Sequence, residues 1–263
     1  MARQILSISS QVVYGPVGNT AAVPALHAAG FTVLQVPTII LSNHPGHGKP
    51  SGVRLPATEI EEILKKLVAL DVLNECAGIM TGYFADAAQV KIAASYIHDM
   101  KQENPELYVL VDPVLGDGDS LYVSSDVANA IRDELLPLAN CLTPNRFELA
   151  WLTGKPVQNK SDAINAAQDL PCDEVLATSI PMDDASIATL AITASETAEV
   201  ISRLKPSVPH GTGDFLAGLY LSCRLNGYEP AQALNLSSAI LEQAITRSVG
   251  QSWLDVVGAL HDH

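Results

Sequence analysis

A short glycine-containing segment near the carboxyl end of the chain has residue types that handle phosphate. It reads His210-Gly-Thr-Gly-Asp214 and is followed by the apolar residues 215–221, which predict a buried helix. Two glycines would let backbone N–H groups converge at that helix N-terminus and bind an anion. Asp214 could then accept a proton from an attacking hydroxyl. Alone, the segment is better explained as a turn with a capping acid, so phosphoryl transfer requires further groups.

Three more acidic residues are predicted to lie beside this segment. Asp112 and Asp117 belong to a segment that follows an apolar strand, and Glu148 lies three residues after Asn145. Asn145 and Glu148 have the spacing of a capping box, and capping the helix could be their whole role. If all three acids converge with Asp214, bound cations are needed to offset their charge. ATP with Mg²⁺ fits this requirement, with Glu148 orienting a hydrated Mg²⁺.

Alternating strands and helices would position these residues. Apolar runs predict strands at residues 5–8, 31–36, 76–80, 107–111, 141–142, 174–177 and 187–193. Helical spacing and caps predict a helix that begins after an N-cap at Asn19 and ends near Gly30, and a second helix that begins with a capping box at Thr58. Further helices are predicted at 86–102, 127–135, 214–225 and 231–247, and after Pro144 and Ser161. Residues 37–56 predict a long functional loop, or a strand plus a loop. This alternation predicts an α/β fold, a three-layer αβα sandwich with a central, mostly parallel sheet.

Polar residues that follow the predicted strands are the candidate ligand-binding positions, because ligands gather at the carboxyl ends of parallel strands. They include Ser9, Ser10, Thr81, Gly82, Tyr83, Asp112, Thr143, Pro144, Asn145, Thr178 and Ser179. The stretch Ser42-Asn-His-Pro-Gly-His-Gly48 predicts a loop over a small organic substrate. His44 and His47 lack a clear third ligand, so a metal site there is not expected.

Composition narrows the classes of function. The chain has 263 residues and a formal net charge of -14, and its scarce Lys and Arg argue against a nucleic-acid partner. No apolar run approaches the roughly 20 residues of a membrane-spanning helix. The four cysteines have no Cys-x-x-Cys spacing and are predicted to be reduced thiols. We expect one domain over residues 1–263, with small-molecule partners and no nucleic-acid or membrane partner.

Six segments occur in the order and spacing typical of pyridoxal kinases. They are residues 7–15, 42–44, 81–83, 112–117, 143–148 and 211–214. From about Ile5 to the last helix, the chain resembles this branch of the ribokinase-like superfamily. The amino-terminal segment and Ser42-Asn-His44 separate the branch from sugar kinases. The resemblance implies a ribokinase-like fold and ATP-dependent phosphorylation of the 5′-hydroxymethyl group of pyridoxal, with pyridoxine and pyridoxamine as further candidates, in pyridoxal 5′-phosphate salvage.

The same resemblance implies roles for individual residues. Asp214 would be the catalytic base, and an anion hole would be formed by the amides of Gly211, Thr212 and Gly213. The acceptor would be bound by Ser10, Val17, Pro45, Gly46, Tyr83 and Asp214. ATP would be bound by the same three amides and by Asp112, Asp117, Thr143, Asn145, Glu148, Thr178 and Ser179. Mg²⁺, accompanied by a monovalent cation such as K⁺, would be held by Asp112, Thr143 and Glu148. Members of the family are typically homodimeric and cytoplasmic.

Two alternatives share part of the pattern. A hydroxymethylpyrimidine kinase or a ribokinase-like sugar kinase would use the same Gly-x-Gly-Asp and Asn-x-x-Glu segments, because these handle ATP and not the acceptor. A non-catalytic vitamin B6 carrier would bind the vitamer without turnover, and the intact Asp214 argues against it. Gln11 stands where this family commonly has His, and Pro45 where it commonly has Thr, so both bear on substrate preference.

Overall fold

The computed structural model describes residues 3–205 and 207–261. The strands are β1 (Gln4–Tyr14), β2 (Thr32–Asn43), β3 (Gly52–Arg54), β4 (Cys76–Thr81), β5 (Tyr108–Val111), β6 (Gly116–Asp117), β7 (Ser120–Leu121), β8 (Cys141–Leu142), β9 (Glu174–Asp183), β10 (Ser186–Thr193) and β11 (Thr197–Arg203). The helices are α1 (Asn19–Ala28), α2 (Ala57–Ala69), α3 (Ala87–Glu103), α4 (Ser125–Ala130), α5 (Arg146–Thr153), α6 (Lys160–Ala167), α7 (Thr212–Leu225), α8 (Pro230–Arg247) and α9 (Val256–His261). A π-helical turn (Ile131–Leu135) continues α4.

The strands form one large mixed sheet with a separate small hairpin. The sheet has nine strands in the order β11-β10-β9-β8-β5-β4-β1-β2-β3, and β6 pairs only with β7. The six strands from β9 to β2 are parallel, whereas β10, β11 and β3 run antiparallel to their neighbours. The carboxyl ends of the parallel strands therefore meet at one edge, where the strand-following polar residues lie.

Helices cover both faces of the sheet. Strand residues such as Leu6 and Val109 pack with α2, α3 and α4 on one face, while Ile5 and Leu110 pack with α1, α7 and α8 on the other. Helices α5 and α6 cover β9 and β10. This arrangement confirms the predicted three-layer αβα sandwich. Among the described residues, no helix is both long enough and apolar enough to cross a bilayer.

The structure extends several predicted strands and adds others. β1 and β2 continue to Tyr14 and Asn43, because the two strands stay paired beyond an irregularity in register between Ser9 and Gln11. Residues 37–56 thus contain the end of β2, a 3₁₀ turn (Pro45–His47) and β3. Strands β3, β6, β7 and β11 and helix α9 were not predicted, because they are short or lie at the sheet edges and have weak apolar periodicity.

Two predicted helix caps are wrong. Asn19 lies inside α1, where it accepts a hydrogen bond from the Ser7 hydroxyl (2.7 Å) and donates one to the Ser9 carbonyl (3.4 Å). Its side chain therefore bonds to strand β1 and does not cap the helix. Thr58 lies inside α2, which begins after Pro56 without a side-chain cap. By contrast, the capping box of Asn145 and Glu148 is formed at the start of α5.

Helices α1 and α7 approach closely at a glycine. A Cβ atom on Gly218 would lie 2.7 Å from the Ala22 carbonyl oxygen and 3.0 Å from the Ala22 Cα. These atoms belong to the backbone of the neighbouring helix and cannot rotate away. Gly218 therefore sets the distance between α1 and α7, the helices whose N-termini face the candidate site.

The first prediction concerns this contact. In an exposed helix, a substitution of glycine by alanine stabilises the protein by about 1 kcal/mol. Gly218→Ala should instead destabilise the protein by about 1–3 kcal/mol, because the helices must separate. The matched control is Gly213→Ala in the same helix, where nothing lies within 4 Å of the added Cβ. Chemical denaturation of both variants measures the difference, and equal stabilities would contradict the account.

Candidate active site

Four polar residues reach one edge of the sheet from separate elements. The backbone N–H of Asp112 donates to the Thr81 carbonyl (3.0 Å) and that of Thr143 to the Val111 carbonyl (3.1 Å), which continue the pairing of β4, β5 and β8. Glu148 lies in the first turn of α5 and Asp214 in the first turn of α7. The structure thus brings together three of the predicted acids, Asp112, Glu148 and Asp214, with Thr143 beside them.

Glu148 connects the 112–117 segment to α5. Its carboxylate accepts hydrogen bonds from the backbone N–H groups of Leu115 (2.8 Å), Asn145 (2.9 Å) and, more weakly, Gly116 (3.4 Å). The residue is only 4% exposed. Burial raises the pKa of Glu148 to about 7, against the effect of the three N–H donors, and the nearby charge of Asp117 adds to the rise. The carboxylate retains lone pairs with which it can orient a further ligand.

Asp112 has the least favourable surroundings for a charge. It is buried, and burial raises its pKa well above the usual range, with further contributions from the charges of Asp214 and Glu148. The Thr143 hydroxyl lies close enough to oppose this shift. That hydroxyl is itself buried and, within the described part of the chain, makes no hydrogen bond of normal geometry. The acids at this edge cannot all be charged at neutral pH without a compensating cation.

Asp214 is held by backbone N–H groups. Removal of water from its carboxylate raises its pKa to about 6, while the N–H groups of Gly18 and of Asp214 itself donate to it and oppose the rise. A carboxylate with a pKa near 6 is mostly ionised at neutral pH and is still basic enough to take up a proton in a reaction. The geometry suits a general base.

Glycines bring the amino-terminal loop against the start of α7. Gly211 has φ 97°, a conformation that favours glycine, and a Cβ there would overlap the Pro16 carbonyl oxygen. A Cβ on Gly18 would overlap the Ser10 side chain. Ser10 and Val17, both buried, are therefore packed beside the Gly211–Asp214 turn that begins α7.

The remaining acceptor residues predicted from the sequence border the same region. The Tyr83 backbone N–H donates to the Ser9 hydroxyl (3.3 Å), and its carbonyl accepts from the Thr38 hydroxyl (2.6 Å). Pro45 and Gly46 are exposed residues of the 3₁₀ turn, and the backbone of Gly46 lies against His210. All the predicted acceptor residues thus lie on segments that contact β1 or the residues just before α7.

The remaining predicted nucleotide residues lie beside Glu148, where Asn145 shares its capping box, and in β9, which contains Thr178 and Ser179. Thr178 forms a bridge with Asn145, and its N–H donates to the Pro144 carbonyl (2.9 Å). The Asn145 side chain also donates to the Gly116 carbonyl (2.8 Å). Ser179 follows with φ 58°, a left-handed conformation that is uncommon outside glycine. Asp117 is exposed at the end of β6.

Comparison with known proteins assigns the family. The family model for phosphomethylpyrimidine kinase matches residues 17–254. A pyridoxine/pyridoxal/pyridoxamine kinase of Bordetella avium is 37% identical over 248 residues, covering 92% of this chain and 84% of that protein. This chain belongs to the pyridoxal kinase family.

Solved structures of pyridoxal kinases have the same fold. The enzyme from Entamoeba histolytica superposes with a TM-score of 0.93 at 26% identity, covering 100% of this chain and 95% of that one. The enzyme from Leishmania donovani in complex with ADP and pyridoxamine gives 0.91 at 28% identity, covering 98% and 95%. The predicted ribokinase-like fold is thereby confirmed.

One residue of this pyridoxal kinase site was missed by the sequence reasoning. Tyr122 follows the β6–β7 hairpin, and its phenol has a raised pKa because of partial burial and the nearby charges of Glu148, Asp117, Asp112 and Asp214. Tyr122 is 60% exposed, and its phenol is close enough to all four acids for their charges to affect its pKa. A lone aromatic residue just after a short hairpin has no local pattern that would have identified it.

A metal ion at this site would need more than protein carboxylates. Among the described residues, no three His, Cys, Asp or Glu side chains are arranged to hold a metal ion. Mg²⁺ usually keeps water ligands and is bound through one or two carboxylates plus substrate phosphates. Asp112, Glu148 and Thr143 fit that pattern, since they offer negative charge and a buried hydroxyl that, among the described residues, makes no hydrogen bond of normal geometry.

The second prediction links metal binding, pH and stability. A raised pKa means that folding favours the protonated acid, so stability falls as pH rises from 4.5 to about 7 for Glu148 and from 3.8 to about 6 for Asp214. Mg²⁺ should therefore raise the melting temperature more at pH 8 than at pH 5. Asp112→Asn removes the cost of burying this carboxyl, so it should raise the metal-free melting temperature at pH 8, by about 2–4 °C for each kcal/mol of stability gained.

Asp184→Asn is the control for this experiment, because it removes the same charge from an exposed turn. Differential scanning calorimetry at both pH values, with and without Mg²⁺ at constant ionic strength, makes the measurement. The acid cluster would not be the cause if Asp184→Asn gave the same effects as Asp112→Asn.

Proposed function

We propose that this protein transfers the γ-phosphate of ATP to the 5′-hydroxymethyl group of pyridoxal, with pyridoxine and pyridoxamine as further acceptors, in pyridoxal 5′-phosphate salvage. The observation that carries the proposal is the placement of Asp214 between two sets of residues. On one side, Gly18 donates to its carboxylate and packs on Ser10. On the other side lie the buried acids Asp112 and Glu148. Asp214 therefore adjoins both the residues proposed to bind the alcohol and the acids proposed to bind the polyphosphate with Mg²⁺.

The chemical step follows from this placement. Asp214 accepts the proton of the acceptor hydroxyl while that oxygen bonds to the γ-phosphorus, and the bond from the γ-phosphorus to the β,γ-bridging oxygen breaks to release ADP. The amides at the start of α7, from the N-cap Gly211 and from Thr212 and Gly213, stabilise the charge that develops on the transferred group. The proton remains on Asp214 until the product leaves. The protein's main contribution is alignment and charge stabilisation.

Mg²⁺ is part of this proposal, with K⁺ as an accompanying monovalent ion. Asp112, Thr143 and Glu148 would hold Mg²⁺ through its water and phosphate ligands, and bound Mg²⁺ would neutralise charge on the β- and γ-phosphates. Asn145, Thr178, Ser179 and Asp117 would border the nucleotide. The solved Leishmania donovani relative contains ADP, which supports a nucleotide in this fold.

The acceptor is the main point on which alternatives differ. The matching family model describes phosphomethylpyrimidine kinase, so a hydroxymethylpyrimidine is the second candidate acceptor. The relative from Bordetella avium, named for three B6 vitamers at 37% identity, favours pyridoxal. A non-catalytic carrier would not need an aspartate held beside an anion-binding turn.

We also propose that the protein is a single-domain, cytoplasmic homodimer. Val13, Ile40 and Val53 are 77%, 37% and 54% exposed. Ile40 pairs with both Gln11 and Val53, so the three apolar side chains share one face at the β3 edge of the sheet. A second copy would cover this face, and the mass in solution tests it. All four cysteines are free, as a reducing compartment would keep them.

The first experiment is ATP-dependent phosphorylation of pyridoxal, pyridoxine and pyridoxamine, with hydroxymethylpyrimidine and ribose as controls. We expect turnover of pyridoxal and little turnover of the two controls. Phosphorylation of hydroxymethylpyrimidine alone would assign the protein to the other acceptor class. Binding of pyridoxal without any ATP turnover would favour a carrier.

Asp214→Asn tests the catalytic base. The variant should lose about 10²–10⁴-fold in kcat while retaining ATP binding, because the proton acceptor is removed and the backbone amides stay. In the parent protein, kcat/KM for pyridoxal should rise with pH through about 6, as the pKa of Asp214 requires. Steady-state kinetics and calorimetric titration of ATP make the measurements. Near-normal kcat in Asp214→Asn would remove this residue from the base role, with Asp184→Asn as the control.

A further inference from the structure

Five aromatic rings lie together where the acceptor turn meets the residues before α7. This aromatic cluster consists of Tyr14, His44, His47, His210 and Trp253. The ring centroids are 5.8 Å apart for Tyr14 and Trp253, 5.1 Å for Tyr14 and His47, and 6.4 Å for His44 and His47. The cluster joins the end of β1, the turn after β2 and the segments that precede α7 and α9. The proposed chemical step uses none of these rings.

The closest pair in the cluster is His44 and His210. Their ring centroids are 4.1 Å apart and the ring planes meet at 35°. His210 also lies against Gly46, since a Cβ added there would be 2.6 Å from the His210 Nε2 and 3.0 Å from the His44 Nδ1. His210 therefore contacts both the residue that precedes the 3₁₀ turn and the centre of that turn.

His44 is fixed on the acceptor side of this contact. Its backbone N–H donates to the Tyr14 carbonyl (3.1 Å), and its carbonyl accepts from the His47 N–H (2.9 Å). Its Nδ1 accepts from the Gly46 N–H (3.1 Å), which requires that this nitrogen carry no proton. Burial, followed by the charges of His210 and His47, lowers the pKa of His44 to about 4. His44 is therefore a neutral ring with a single orientation at neutral pH.

His210 is fixed on the phosphate side. It immediately precedes Gly211, whose backbone has a left-handed conformation and packs on the Pro16 carbonyl. Asp214 lies in the same turn, four residues after His210. The ring of His210 thus extends from the phosphate-binding turn to the turn that contains Pro45 and Gly46.

We propose that His210 is a positioning residue for the acceptor substrate: through His44 and Gly46 it holds the 44–48 turn in place against the Gly211–Asp214 turn. The inference rests on the proposed function, in which the first turn contacts a flat heteroaromatic alcohol and the second contains the base. A displacement of the acceptor by 1 Å can cost about a hundredfold in rate. A contact between the two turns therefore acts on alignment, without touching the reacting atoms.

The kinetic test compares His210→Ala with His210→Phe. Loss of the ring should raise KM for pyridoxal about tenfold, because the turn is no longer held, and change KM for ATP less than about twofold. Phenylalanine keeps a flat ring against His44 and should restore most of the pyridoxal KM. His27→Ala, an exposed histidine in the last turn of α1, is the matched control and should match the parent protein. Equal changes in both KM values would overturn the proposal.

A double-mutant cycle shows whether His210 acts through His44. If it does, His44→Ala and His210→Ala should be strongly non-additive in kcat/KM for pyridoxal, because either change breaks the same contact. Additive effects would mean that His210 acts by another route, and would overturn the proposal.

A readout without substrate separates this inference from the proposed function. Hydrogen exchange measured by mass spectrometry should be faster at residues 44–48 in His210→Ala than in the parent protein, and unchanged in the core strand β4. Unchanged exchange at 44–48 would overturn the positioning role, whether or not pyridoxal is a substrate. Failure of the parent protein to phosphorylate pyridoxal, with faster exchange in the variant, would reject only the proposed function.

Discussion

Desolvation of carboxylates that lie close together is the constraint on which the arrangement of this site depends. Asp112, Glu148 and Asp214 meet at one sheet edge, and burial with their mutual charges raises the pKa of Asp112 well above its usual range. Backbone N–H groups reduce the cost only in part, by donating to Glu148 and Asp214. The protein thus pre-forms a site in which a bound cation would lower the cost of charging the acids, as in the proposed binding of a polyphosphate with Mg²⁺.

The fold can tolerate this cost because the acids come from rigid elements. The parallel strands β4, β5 and β8 are buried between helix layers, and their hydrogen bonding continues through Asp112 and Thr143. Close approaches at Gly211 and Gly218 hold α7 against the amino-terminal loop and α1. Because backbone contacts fix these distances, the position of Asp214 depends little on flexible side chains.

The local sequence pattern was sufficient to predict the helix and sheet layers and part of the candidate site. Apolar runs located the core strands, and the residues after them gave Asp112 and Thr143. The capping box at Asn145 was found from its spacing and is formed. Local pattern failed where tertiary contacts decide: Asn19 has the residue type of a cap, but it is bonded to Ser7 and Ser9 in the sheet. Tyr122 joins the site from a hairpin with no periodicity, so only the folded chain identifies it.

The difference between local pattern and tertiary contacts also explains why the proposed nucleotide side of the site is easier to recognise from the sequence than the proposed acceptor side. The Asn145–Glu148 and Gly211–Asp214 segments are contiguous, so their geometry is contained in a few residues. The acceptor side is assembled from β1, the 44–48 turn and residues before α7, which meet only in the fold. A family model named for a pyrimidine kinase can therefore match most of the chain, while the residues proposed to bind the acceptor are brought together by long-range contacts such as that of His44 with His210.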